Sequence, residues 1–307
     1  MKDNICRKNG DYVVIIGGAN VDILGLPFED LVMHDSAPGV LKYTSGGVGR
    51  NITENLLRLG ANVKFITAFG NDASGDKLKK ELIDLGADLS LSLTANDENT
   101  STYICLNDSK GEMQVALSDM RILSHLTREF FADKFDVING AKCVVLDTNL
   151  GDILGFLTEN ITTKVFLDTV SYKKARNCKE YVKNLFFVKP NIVEAAALTG
   201  EDVSTEKDVE TAADKLLAMG NENVVISMGE HGVYYANGRE KGWLKNEDFE
   251  LVSATGAGDA FMAGTIFGYL NDKSFVDCVK LGLLASKIAL TSIDTVSKQI
   301  DKLKEYI

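Results

Sequence analysis

Five short stretches of this chain combine residue types that can handle an oxyanion, a hydroxyl proton or a metal ion. Thr255-Gly256-Ala257-Gly258-Asp259 leads into an apolar run, Met262 to Leu270. Small residues at a helix start let backbone N–H groups approach a ligand, and the helix dipole adds partial positive charge there. The segment therefore reads as a site for an oxyanion or phosphoryl group. Asp259, in the first turn, is expected to stay ionised because the dipole favours its charged form, and so to accept a proton from an alcohol. A tight loop with an aspartate capping a helix fits the same letters equally well.

Ser45-Gly46-Gly47-Val48-Gly49-Arg50-Asn51 exposes backbone amides next to Asn51, whose side chain can donate and accept toward vicinal hydroxyls. A plain strand-to-helix turn capped by Asn accounts for it too. Asn20 and Asp22 follow Gly17-Gly18 at the end of an apolar run, the C-terminal edge where open α/β sheets bind ligands; an amide and a carboxylate there suit a polyol. Asn191 and Glu194 are spaced as a capping box, or alternatively as holders of a hydrated Mg²⁺ beside phosphates. Ser227-Met228-Gly229-Glu230-His231-Gly232 ends another apolar run in a glycine-spaced turn.

The elements that must position these groups alternate along the chain. Apolar, β-branched runs at Val13 to Ile16, Val63 to Ala68, Cys143 to Leu146, Val165 to Leu167, Leu185 to Val188 and Val224 to Ser227 read as strands buried on both faces. Amphipathic stretches such as Asn51 to Leu59 and Gly75 to Leu85 lie between them, which predicts a doubly wound, mostly parallel sheet flanked by helices. Residues 100–106 and 112–118 alternate in polarity around a turn-rich Asn107 to Gly111 and predict an antiparallel hairpin. With 23–26 and 40–45 they would form a small β-sheet inserted into one domain spanning 1–307. No linker or internal repeat divides the chain.

With 45% hydrophobic and 25% charged residues over 307, the chain can bury a full core, which excludes disorder and coiled coil. A net charge of −11 without a basic stripe argues against nucleic acid as a partner. The start from Met1 to Asp11 is polar, and the longest apolar stretches fall short of the ~20 residues of a spanning helix, so a cytoplasmic protein without a membrane partner is expected. Five scattered cysteines, Cys6, Cys105, Cys143, Cys178 and Cys278, indicate neither a disulfide framework nor a zinc ribbon; Cys105 and Cys143 read as buried packing residues. His34, His125 and His231 lack metal-ligand spacing. No Gly-x-x-x-x-Gly-Lys-[Ser/Thr] occurs, and Phe261 stands where a dinucleotide fingerprint wants Gly or Ala, which disfavours a P-loop ATPase and a dehydrogenase.

Taken together, Gly46 to Asn51 and, far downstream, Thr255 to Asp259 resemble the two signatures of the PfkB, or ribokinase-like, family of sugar and nucleoside kinases, and the resemblance covers essentially the whole chain. Tyr12 to Asp22, Glu98 to Ser101 and Ser227 to Gly229 are most similar to members that phosphorylate pseudouridine. The resemblance implies ATP- and Mg²⁺-dependent transfer of a γ-phosphoryl group to the ribose 5′-hydroxyl of pseudouridine. Another acceptor of the family, such as ribose, adenosine or a sugar acid, is the alternative. By the same resemblance Asp259 would be the base, and Gly256, Ala257 and Gly258 the anion hole. Asn20, Asp22, Gly46, Gly47, Asn51, Thr102 and Asn149 would hold the acceptor. Asn191, Ser227, Gly229, Gly232 and Thr255 would serve the nucleotide, and Glu194 its metal. The small sheet would be a lid and the contact of a homodimer. Val48 stands where many ribokinases carry Lys, which makes plain ribose less fitting. Ser253-Ala254 replaces the Asp-Thr that often precedes the second signature, so the resemblance leaves a monovalent cation such as K⁺ at this loop open.

Overall fold

A computed structural model describes residues 11–246 and 249–307. Cys6 and the polar start before Asp11 lie outside the described residues. The strands are β1 Val13–Ile16, β2 Asn20–Pro27, β3 Gly39–Gly46, β4 Val63–Ile66, β5 Ala68–Gly70, β6 Leu93–Ala95, β7 Thr102–Asn107, β8 Met113–Asp119, β9 Cys143–Asp147, β10 Val165–Asp168, β11 Phe187–Lys189, β12 Asn223–Ser227, β13 Val233–Asn237 and β14 Lys241–Leu244. The helices are α1 Val48–Arg58, α2 Ala73–Asp84, α3 Arg128–Phe131, α4 Phe135–Asn139, α5 Ile153–Asn160, α6 Tyr172–Cys178, α7 Ile192–Thr199, α8 Glu206–Ala218, α9 Ala257–Leu270 and α10 Phe275–Leu290.

The main sheet has eight strands in the order β14-β13-β12-β11-β10-β9-β1-β4, parallel from β4 to β12 and antiparallel at the β13 and β14 edge. Successive side chains of a strand face opposite sides, so a strand covered on both faces must be apolar throughout. Val13 and Ile15 accordingly pack with Ile52 and Leu56 of α1 and Phe261 and Met262 of α9, while Val14 and Ile16 pack with Leu154, Ala175, Val209 and Leu216 of α5, α6 and α8 on the other side. Each such side chain contributes about 1.5–3 kcal/mol when removed from water. The helix α9 is apolar around its whole circumference and is buried from Asp259 to Gly268. Among the described residues no helix is long and apolar enough to cross a membrane.

Three expectations shift in detail. The run read as one strand from Val63 to Ala68 breaks at Thr67: β4 joins the main sheet, and β5 pairs with β6 in a separate two-stranded sheet. The helix expected from Asn51 begins at Val48, and Gly47 before it has φ of 100°, a left-handed value that favours glycine. Cys143 is fully buried, but Cys105 lies half-buried in the small sheet, on the same face as Tyr103 and Asp22.

That small sheet has the order β3-β2-β7-β8, within three residues of the expected segments. Register divides its faces. Asp22 pairs with Thr44 and Tyr103, whereas Ile23 pairs with Tyr43 and Ile104, and Ile104 with Leu117, on the opposite face.

Candidate active site

The parallel strands end together, and the residues at their C-terminal ends line one edge. Asp147 of β9 is in register with Asp168 of β10, and Asp168 with Lys189 of β11; Ser227 closes β12. Asp147, Asp168 and Lys189 are each at most 5% exposed. The loop after β1, carrying Gly17 and Gly18, enters the same edge.

Asp147 ties the glycine-rich loops to this edge. Its Oδ2 accepts from Gly18 N at 2.8 Å and Gly49 N at 3.0 Å, and its Oδ1 accepts from Asn149 N at 2.9 Å. Burial pushes its carboxyl above the usual range, while those amides and the Lys174 ammonium pull it back. Asn149 is fixed by Lys174, which donates to its Oδ1. Burial holds the Lys174 ammonium below the usual lysine range.

The start of α9 has the form expected of an anion site. Gly256 sits at φ of 81°, and a Cβ there would strike the Thr295 carbonyl, so glycine is required. No side chain caps the helix, which leaves the first-turn N–H groups of Ala257 and Gly258 toward a cavity of about 450 Å³. Lys189, Ser227, Gly229 and Gly232 line the same cavity, and Val233, Phe249, Leu251, Leu283 and Leu290 add apolar wall. The volume falls in the range of small-ligand pockets. The Lys189 ammonium stands above Gly258 and lies 3.7 Å from Asp168 Oδ2. Thr255 is exposed, its N–H directed to Ser253 Oγ at 3.3 Å.

Asp259 departs from expectation. Burial comes first, the neighbouring Asp168 adds repulsion, and together they push the carboxyl well above the usual carboxylate range; the Asn51 hydrogen bond and Lys189 oppose this. The helix dipole that argued for a permanently ionised group is outweighed by desolvation. A base with a raised pKa is better matched to neutral-pH proton transfer than an ordinary carboxylate. Asn51 Nδ2 donates to Asp259 Oδ2 at 2.7 Å across the α1–α9 contact. Such a bond to an ionised partner contributes about 1.5–3 kcal/mol.

On the small-sheet side, Asn20 donates to Asp22 Oδ1, and Asn20 is in register with Gly46. Burial raises the Asp22 carboxyl to about 6, against the Asn20 hydrogen bond and the Arg50 charge. Asn20, Asp22, Gly46, Gly47, Asn51 and Asp259 are thus linked around one cleft. Thr102 stands beside Val21 and its Oγ1 donates to Thr100 O at 3.1 Å; it is Tyr103 that is in register with Asp22. Asn191 and Glu194 form a full capping box on α7. Glu194 Oε2 accepts from Asn191 N at 3.0 Å and Thr169 Oγ1 at 2.6 Å. Asn191 also bridges to Ser227, which brings this pair beside the cavity.

The sequence reading missed Asp147, Asp168, Lys189 and Tyr103. Each of the first three is a lone charge closing an apolar run, a pattern that strand ends without function share.

Comparison with known proteins agrees with this geometry. The model of the pfkB family of carbohydrate kinases matches residues 11–302. The chain is 37% identical over 287 residues to pseudouridine kinase of Escherichia coli (strain K12), covering 92% of each. It is 25% identical to guanosine-inosine kinase of Exiguobacterium acetylicum, covering 95% of this chain and 99% of the other. Among solved structures, Arabidopsis thaliana ribokinase complexed with ribose and ATP superposes with a TM-score of 0.87 at 21% identity, over 97% of this chain and 100% of that one, a match of fold. The chain belongs to the pfkB family of carbohydrate kinases, phosphotransferases that act on an alcohol group.

Proposed function

We propose that this chain transfers the γ-phosphoryl group of ATP to the ribose 5′-hydroxyl of pseudouridine. The observation that carries the reading is the Asn51–Asp259 contact. It sets a buried carboxyl of raised pKa between the Asn20–Asp22 side of the cleft and the uncapped start of α9. The 37% identity to a pseudouridine kinase supports the choice of acceptor. The acceptor hydroxyl gives its proton to Asp259, its oxygen bonds to the γ-phosphorus, and the bond from that phosphorus to the bridging oxygen breaks to release ADP. The N–H groups of Ala257 and Gly258 and the Lys189 ammonium face the charge that spreads over the transferred group. Asn20, Asp22 and Asn149 hold the sugar, with Tyr103 closing over it from the small sheet.

The residues around Glu194 fit a hydrated magnesium ion held mainly by phosphates. Its Oε1 has no protein donor among the described residues, and no cluster of three or more acidic, His or Cys side chains gathers as a metal cage there. Bound Mg²⁺ would neutralise phosphate charge and orient the triphosphate. The small sheet serves as lid and, through its apolar outer face, as the homodimer contact; Tyr43, Val115 and Leu117 on it are 56–67% exposed.

The test is ADP release with pseudouridine, uridine and ribose side by side, with the product identified by mass spectrometry and NMR. The highest kcat/KM is expected with pseudouridine. A preference for uridine or ribose would overturn the acceptor and leave the family untouched.

A further inference from the structure

A primary amide has an acceptor end and a donor end, and Asn51 uses both. Arg50 Nη1 donates to Asn51 Oδ1 at 3.1 Å, and Asn51 Nδ2 donates to Asp259 Oδ2 at 2.7 Å. A guanidinium has only donors and an ionised carboxylate only acceptors, so the amide fits one way round; flipped, it would set donor against donor and acceptor against acceptor. Arg50 is itself held: it is 7% exposed, paired with Glu54 one helical turn on, and 3.9 Å from Glu81, which accepts from Ser45 Oγ of β3 at 2.5 Å.

We propose that Arg50 is a positioning residue for the phosphoryl transfer: by fixing the Asn51 amide it keeps Oδ2 of Asp259 occupied and leaves Oδ1 to take the acceptor's proton. The inference rests on the kinase reading with Asp259 as base. Arg50 makes no contact with the reacting atoms and acts through Asn51. Its charge also acts on Asp22, so one guanidinium serves both the sugar side of the cleft and the base.

The other charged groups facing Asp259 are Asp168 from β10, Asp147 from β9 and Lys189 from β11. The two carboxylates favour its protonated form, while Asn51 and Lys189 favour the ionised one. Removing the brace on Asn51 therefore raises the pKa of Asp259, and the acidic limb of the kcat–pH profile moves up.

The experiment is a double-mutant cycle of Arg50→Met and Asn51→Ala, with Arg50→Lys alongside, read by kcat, both KM values and the kcat–pH profile. Arg50→Met is expected to lower kcat by about 10- to 100-fold, the loss of one or two oriented hydrogen bonds, with KM for ATP unchanged. Arg50→Lys, which keeps the charge and a donor, recovers part of kcat and of the limb. With Asn51→Ala already present, Arg50→Met should add little, because the pathway through Asn51 is gone. Glu54 keeps its bonds from Arg58 at 2.6 and 2.8 Å in every variant, so α1 retains an ion pair, and circular dichroism checks folding. If Arg50→Met does not fold, the Arg50→Lys and Asn51→Ala pair completes the cycle. Fully additive losses, or an unmoved acidic limb in a folded Arg50 variant, overturn the proposal alone. A wild-type chain that phosphorylates none of the acceptors overturns the kinase reading and this inference with it.

Discussion

The edge of the main sheet and the small four-stranded sheet meet at one cleft but are built on opposite principles. At the edge, Asp147, Asp168 and Lys189 are buried and close fully covered strands, and Asp259 is buried in the first turn of α9. In the small sheet, most residues of β3 and β8 are exposed, and the buried positions are the roots of β2 and β3 and Gly25 within β2. Buried charges are expensive unless neighbours compensate them, so the edge can hold shifted pKa values and fixed donors in place. A half-covered sheet opens at lower free energy and can move with its ligand. Phosphoryl transfer needs both properties, with rigidity where charge develops and mobility where the acceptor enters.

Substitutions at the edge should therefore strike turnover, and those in the small sheet should strike acceptor binding or assembly. The largest effect is expected from Asp259→Asn, which keeps the shape of the side chain and removes the base. It should lower kcat by roughly 10² to 10⁴ while ATP still binds. Isothermal titration with ATP and a steady-state assay check both halves. Near-normal turnover would remove Asp259 from the reaction and dissolve the contrast.

The next contrast lies within one turn of chain. At Gly256 a Cβ meets the Thr295 carbonyl and the backbone is left-handed, so Gly256→Ala should lose about 1–3 kcal/mol of stability and weaken ATP binding. At Gly258 a Cβ meets only the tip of Lys189 at 3.5 Å, an ordinary contact, and Gly258→Ala should melt within about 1 °C of wild type. Equal losses at the two positions would mean that the loop is sensitive to bulk anywhere rather than to backbone shape at one residue.

How far these features can be read from the letters follows the same division. The run Val13-Val14-Ile15-Ile16 is legible because burial on both faces leaves no polar position, and the fold class follows from repeats of that pattern. Gly47 and Gly256 are legible within their glycine-rich segments because few other residues tolerate their left-handed backbone angles. The row of Asp147, Asp168 and Lys189 is not, because a single charge at the end of an apolar run also marks a strand simply stopping. Its meaning needs the register that sets three separated segments side by side. The raised pKa of Asp259 is illegible for the same reason: the helix dipole is local, whereas burial and Asp168 arrive through tertiary packing. Thr102 and Tyr103 differ only by strand parity, and one residue of uncertainty in a strand exchanges the two faces.

A smaller effect separates the regions by pH. If the Asp22 carboxyl, raised to about 6, holds the sugar as proposed, it accepts most strongly from hydroxyls when ionised. Acceptor affinity measured without ATP, where no proton transfer takes part, should be full above that value and fall as pH drops through it, while ATP affinity holds. Asp22→Asn should flatten this limb without moving the kcat limb governed by Asp259. If both limbs move together, the two sides of the cleft titrate as one system.

The smallest effect on chemistry is expected on the outer face of the small sheet. Leu117 is 67% exposed and its register neighbours Ile104, Ile23 and Tyr43 continue an apolar row that reaches the edge strand β3. Such a row is unusual on a surface that stays in water. Leu117→Lys should convert a dimer to a monomer in analytical ultracentrifugation. Because the side chain leaves the core untouched, intrinsic stability should shift by no more than about 0.5 kcal/mol. Turnover at saturating acceptor should stay close to wild type, since Leu117 lies on the face opposite Asp22, and any loss should appear in acceptor KM as a less ordered lid. A monomeric variant with collapsed kcat would show that the small sheet shares in holding the reacting groups, and the division between rigid edge and mobile lid would fail.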